Sequence, residues 1–336
     1  MLVFLKKYWG VFFVLLCNFL SMHDLLGMQK PTRKTVGIFA HGLGGNASQV
    51  RNYRSLFDCD CIGVNGPEVA HDFFSSCLGQ DGDIDAIVQE IIKQVKAGND
   101  IIGIGFSKGA ATWINVIGWL AENKPELLKY IKVLILDSPF AAPENVSVKA
   151  FEQLEQVKKS GEMSVGASIS DLFKNYDADG ITPIKAVTEQ WGQIKKKDML
   201  IVLTHSNGDN LINIKDSRLL CAAMVKYGFK PYFIQMSMGR HGMAFSDPHN
   251  KVIDKIRTVF VKYKMFYLFS EDFFKEREFV IDDFGFADPV NVFCDGGVIN
   301  KKGKVVITAE GERWLAEMRP YLSGLDKFLE KIKSLF

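Results

Sequence analysis

Ser107 lies between two glycines in the run Gly105-Phe106-Ser107-Lys108-Gly109. A serine hydroxyl is a weak nucleophile until its geometry and neighbours activate it. The flanking residues suggest how this one is placed. Asp100 to Ile104 is a short apolar run that reads as a buried strand, and Ala110 to Leu120 reads as a buried helix. A serine at a sharp strand-to-helix turn has its side chain held out on strained backbone, beside the free N–H groups of a helix start. Those N–H groups are the donors an oxyanion needs. Both glycines are then required to be small, because a side chain there would collide with the neighbouring elements.

Such a serine needs a base, and the base needs an acid to orient it. The chain has six histidines. His23 belongs to an apolar leader, His41 to the loop after the first strand, and His71 to a loop before the first helix. His205 precedes an acid candidate at the same strand end, and His249 opens the closing helix. His241, between Gly239-Arg240 and Gly242 just after the last strand, is the base candidate. For the acid, Asp209 follows the penultimate strand and Asp137 the strand before it.

The elements that must position these residues alternate along the chain. Strands are expected at Val36–Ala40, Cys61–Val64, Asp100–Ile104, Val133–Leu136, Met199–Leu203 and Pro231–Met236, with helices at 84–95, 110–120, 219–227 and 252–263. Continuously apolar strands separated by helices mean a parallel sheet covered on both faces. Sites in such sheets gather at the carboxyl ends of the strands. His41, Ser107, Asp137, Asp209 and His241 all fall just past a strand.

The chain order Ser107, Asp209, His241 and the loops around them resemble the α/β-hydrolase superfamily, over about residues 33 to 264 and without its first two strands. His41-Gly42-Leu43-Gly44 resembles the oxyanion loop and Gly105 to Gly109 the nucleophile elbow. His205 to Asp209 resembles the acid loop, and Gly239 to Gly242 the histidine loop. The resemblance implies a doubly wound, mostly parallel α/β fold and a catalytic Ser107, Asp209 and His241. It also implies an oxyanion hole formed by the N–H groups of Leu43 and Lys108. Asp137 occupies the superfamily's alternative acid position, but a structural role at its turn is the expected one. The Lys108 side chain is expected to snorkel at the surface. The reaction implied is hydrolysis of carboxylic esters or thioesters, with small or lipid-like acyl substrates. Cleavage of peptides or amides and a non-catalytic binding or envelope role on the same fold are the competing readings.

Other features bound the picture. At 336 residues, 47% hydrophobic and with a net charge of +2, the chain can bury a large core and carries no basic footprint for nucleic acid. No metal site or cofactor is expected. Asn175-x-Asp177-x-Asp179-Gly180 has Ala186 where a calcium loop needs glutamate, and Asp81, Asp83 and Asp85 read as helix capping. Of the six cysteines, a bridge within 59 to 77 is compatible with export. Asn46 and Asn145 are glycosylation sequons if a eukaryote secretes the chain.

Lys6 and Lys7 precede a mostly apolar run over residues 8 to 20, which makes residues 1–27 a signal peptide or membrane anchor. That would place the hydrolase domain outside the cytosol, and a retained segment would associate it with a membrane through the N-terminus. Residues 141–198, inserted between two core strands, are expected to form a helical lid. Residues 266–336 are an appended α+β extension, with a hairpin candidate beginning at Val290–Phe293.

Overall fold

A computed structural model describes residues 33–66 except 44, 55, 56 and 58; 81–146; 180–236 except 196 and 197; 240–242; 256; 298–301; and 304–307. Apolar runs without polar alternation form six strands: β1 (Lys34–Ala40), β2 (Asp60–Val64), β3 (Asn99–Phe106), β4 (Ile131–Asp137), β5 (Leu200–Ser206) and β6 (Tyr232–Met236). They make one six-stranded sheet in the order β2-β1-β3-β4-β5-β6, and every pairing is parallel. A parallel sheet must be covered on both faces, and two apolar clusters do so. One face packs against α1 (Asp81–Lys96), α2 (Lys108–Asn123) and α3 (Ile214–Lys226). The other packs against Val50, Tyr53, Phe57 and Ile256. The sheet is therefore doubly wound, as the sequence predicts.

Register brings the carboxyl ends together. Ala40 pairs with Gly105, Phe106 with Asp137, and Asp137 with Thr204. The chain reverses its direction of travel across the sheet between β1 and β3, the switch point where doubly wound sheets open a crevice.

α2 is buried almost all round because it has a partner on each side. Trp113 faces the sheet and donates its Nε1–H to Ile104 O at 3.1 Å. On the far side Trp191 donates to Ile114 O, also at 3.1 Å. Both tryptophans are fully buried, and truncating either to alanine is expected to cost about 3–5 kcal/mol. Gly118 allows the close approach, since a Cβ there would lie 3.1 Å from Ala186 Cβ.

That packing corrects the lid expectation in part. Helical turns at Pro183–Lys185, Ala186–Gln190 and Trp191–Gln193 belong to the helix layer of the main core, with Ile184, Ala186, Val187 and Trp191 buried. Their apolar side chains pack on the side of α2 away from the sheet and against α3. The rest of the expected lid, 147–179, lies outside the described residues, as do the expected leader, 1–27, and nearly all of the closing helix.

Among the described residues, no helix is long and apolar enough to cross a membrane. The extension's hairpin is antiparallel, β7 (Val298–Lys301) with β8 (Lys304–Ile307), and its first strand falls later than the expected Val290–Phe293. Cys59, Cys61 and Cys221 are free thiols, so neither Cys59 nor Cys61 is bridged as export would allow.

Candidate active site

Ser107 caps α2 with φ 52° and ψ −116°, a strained conformation for a residue with a side chain. Such strain costs about 1–3 kcal/mol and persists only where the surroundings enforce it. Here they do. The Ser107 N–H donates to Asp137 O at 2.8 Å, while Ala110 and Ala111 N–H donate to Ser107 O. A Cβ on Gly105 would lie 2.5 Å from Ala110 Cα, and one on Gly109 would run into the carbonyl of Ala40. Both glycines are thus fixed by close approach, as expected.

The acid and base candidates meet. His241 Nδ1–H donates to Asp209 Oδ2 at 2.6 Å. Asp209 is held from three further directions: Leu211 and Ile212 N–H each donate to Oδ1 at 2.9 Å, and His205 Nε2 lies 3.2 Å from Oδ2. His205 is fully buried. Its Nδ1 pairs with Ser217 Oγ at 2.7 Å and its Nε2 with Ile212 O at 3.0 Å. A carbonyl and a carboxylate on the same side assign the proton to Nε2. Burial pushes the Asp209 carboxyl up, but the hydrogen bonds from His205, His241 and Ile212 outweigh it and hold it well below the usual carboxylate range. Asp209 is therefore ionised, and with Nδ1–H engaged His241 presents Nε2 as its free basic nitrogen.

Phe106, one residue before Ser107, joins the loops. Its ring centroid is 5.0 Å from that of His241. A Cβ on Gly42 would stand 2.8 Å from this ring and 3.3 Å from Ser107 Cβ, and one on Gly242 would stand 2.6 Å from the ring. The loops after β1 and β6 thus both close on Phe106, and each does so through a glycine.

Leu43 sits at the turn after His41 and Gly42. The buried His41 donates Nδ1–H to Gly42 O at 2.8 Å. Gly42 C=O and Leu43 N–H belong to one planar peptide, so fixing the carbonyl turns the N–H the opposite way. Burial and the nearby Lys108 charge push the His41 pKa down to about 4, leaving a neutral ring. The Lys108 side chain overturns the surface expectation. It is only 3% exposed, and its Nζ bonds both carboxylate oxygens of Asp83 at 3.0 and 2.9 Å. Asp83, read from the sequence as a helix cap, is its buried counter-charge.

Asp137 is not bonded to His241. Thr204 Oγ1–H donates to its Oδ1 at 2.8 Å and Ser138 Oγ–H at 3.2 Å, while Oδ2 has no hydrogen-bond partner. Burial raises its pKa from 3.8 to about 6, only partly opposed by those bonds and the nearby imidazoles.

A parallel sheet in this strand order, with a strained serine at the β3–α2 turn and an Asp–His pair after β5 and β6, decides the architecture. The fold is that of an α/β-hydrolase. No family model and no curated protein matches the sequence. Among solved structures the chain is similar to esterase 2 of Thermogutta terrifontis, at 14% identity and a TM-score of 0.44 over 73% of this chain and 88% of that one. It is similar to acyl-protein thioesterase 2 of Zea mays at 15% and 0.43, over 70% and 96%. The esterase Pf2001 of Pyrococcus furiosus follows at 13% and 0.46, over 69% and 82%. Likeness at this level says nothing of substrate, which has to be argued from the site itself.

Proposed function

We propose that the chain is a serine hydrolase of carboxylic esters or thioesters. The observation that carries this reading is the 2.6 Å bond from His241 to a buried, ionised Asp209 at the sheet edge where Ser107 is held on strained backbone. Ser107 Oγ attacks the acyl carbonyl as His241 Nε2 takes its proton. The carbonyl oxygen becomes an oxyanion, held by the N–H groups of Leu43 and Lys108. Collapse breaks the acyl–oxygen or acyl–sulfur bond, and the leaving alcohol or thiol takes the proton from His241. Water, deprotonated by the same imidazole, then attacks the acyl-serine, releasing the carboxylic acid and restoring Ser107.

Small acyl esters, thioesters and lipid-like esters are the substrates in this proposal. Residues 147–179 are the candidate cover of the acyl site, and residues 1–27 the export signal or anchor that takes the domain out of the cytosol. Hydrolysis of acyl esters and thioesters of increasing chain length, run beside a peptide-amide panel, tests the reading. Ester or thioester turnover exceeding amide turnover, and lost in Ser107→Ala, is the expected result. Amide turnover alone would move the protein to the peptidase reading, and a wholly inert protein would make the fold a binding scaffold. Fractionation of the full chain against one starting at Met28 tests the leader; equal cytosolic location of the two would remove that role.

A further inference from the structure

We infer that the buried Lys108–Asp83 ion pair is a positioning device for the oxyanion hole, an inference that rests on the serine-hydrolase reading above. The pair is buried: the two side chains are 3% and 6% exposed, and the ammonium bonds both carboxylate oxygens at 3.0 and 2.9 Å. Taking two charges out of water costs several kcal/mol per ion, and apolar residues of similar volume often serve stability as well or better. Here Ala40, Val64 and Ile87 already line the same small cavity, of about 10 Å³, together with His41, Gly109 and Thr112. An apolar pair would suit those walls. Stability alone does not account for two charges at this place.

What the pair joins does account for them. Lys108 is the residue directly after Ser107 and the first of α2, so its N–H is among those with no acceptor within the helix. Its side chain is drawn to the first turn of α1, where Asp83 lies. That leaves the N–H as the group Lys108 offers at the elbow, with the ammonium tied up elsewhere. Gly109, next in the chain, packs against the carbonyl of Ala40 and faces that of His41, the residues that lead into the oxyanion loop. The ion pair therefore ties the start of α2 to the start of α1, while Gly109 seats that same turn against the residues leading into the loop. The Lys108 N–H hangs from the turn so held, and the Leu43 N–H from the loop it is seated on. A bidentate link between a charged amine and a carboxylate fixes this geometry more sharply than apolar packing would.

The test separates position from stability. In Lys108→Met/Asp83→Leu the charges are replaced by apolar side chains of similar size, and in Asp83→Asn the counter-charge alone is removed. Melting temperature, kcat and KM for an acetyl ester, and the affinity of a trifluoromethyl ketone that forms an oxyanion on the serine, are measured for both. The double variant is expected to melt at or above the native temperature, yet to lose about tenfold to a hundredfold in kcat with KM within about twofold. The ketone's affinity is expected to fall by the same factor. Asp83→Asn supplies the same kinetic comparison should the double variant fail to fold. Native kcat in either folded variant, or a loss confined to KM, would overturn the inference. Ser107→Ala run in parallel keeps the two claims apart. Activity lost there but native in the double variant removes only the positioning role, whereas activity surviving in Ser107→Ala removes the hydrolase reading and this inference together.

Discussion

His241 reaches across from the loop after β6 to place Nδ1 2.6 Å from Oδ2 of Asp209, a carboxylate with no exposed side-chain surface in the loop after β5. The bond fixes the imidazole's tautomer and leaves Nε2 as its basic atom. Asp137, the other carboxylate at this edge, makes its bonds to Thr204 and Ser138 instead. In the proposed mechanism Asp209 is the orienting acid, because it is the carboxylate that His241 bonds. Asp209→Asn is expected to lower kcat by on the order of 10³- to 10⁴-fold, because the amide favours the wrong tautomer. Asp137→Asn is expected to cost less than tenfold. The reverse ranking would make Asp137 the acid.

Asp137 should instead reveal itself in the pH dependence of stability. Its pKa is raised from 3.8 to about 6, by burial before all else. The folded chain thus holds a proton that the unfolded chain releases, and the contribution is complete below the unfolded value and lost as pH rises through the folded one. The full swing is about 3 kcal/mol at 1.36 kcal/mol per pKa unit. Tyr53, His205 and His241 are the titratable groups that act on this carboxyl. Asn at 137 carries no such titration. The stability of Asp137→Asn relative to the native chain should therefore improve between pH 5 and pH 8 in chemical denaturation. A difference that stays constant over that range would show that Asp137 does not titrate there.

Gly42 and Gly242 are predicted to matter through Phe106. An alanine Cβ at 42 would meet the ring at 2.8 Å and Ser107 Cβ at 3.3 Å, so the oxyanion loop has to move. Displacements on the order of 1 Å cost about a hundredfold in rate. Gly42→Ala should show a loss of that order, and adding Phe106→Leu should recover part of it by making room. Gly242 has φ 74° as well as the contact, so shrinking Phe106 should rescue Gly242→Ala less. Full activity in Gly42→Ala would mean that the loop tolerates the shift.

What the sequence made legible was the placement of chemistry at strand ends. The strands are continuously apolar and the polar residues that follow each of them are few, so Ser107, Asp209 and His241 stood out, and the structure brings the acid and the base together. Tertiary partners were not legible. Lys108 and Asp83 are 25 residues apart, and a lysine beside a glycine gives no sign that it is buried. In the sequence His205 is no more than a neighbour of the acid candidate, yet it is a fully buried second imidazole on the same carboxylate. Its position in the same strand as the apolar run Leu200–Leu203 was the signal available. Residues 183–194 show why periodicity alone cannot tell a lid from a core helix: both present an apolar face, and it takes tertiary contacts such as Trp191 bonded to Ile114 O to identify the partner.

With that stretch assigned to the core, the lid proposal narrows to residues 147–179. Replacing them with a short linker should change the preference among acyl chain lengths by about tenfold or more, in line with a pocket difference of 1–3 kcal/mol, while acetyl ester turnover stays within a few-fold. An unchanged chain-length profile in a folded variant would end the lid assignment.

The central claim, that Ser107 is a nucleophile activated by His241, is tested most directly by covalent labelling with a fluorophosphonate and mapping of the modified residue by peptide mass spectrometry. One phosphonyl group per chain on Ser107 is expected, with none on Ser107→Ala and labelling slowed by orders of magnitude in His241→Ala. Labelling that survives in Ser107→Ala, or a native protein that stays unlabelled under conditions that exhaust the reagent on a known serine esterase, would contradict it.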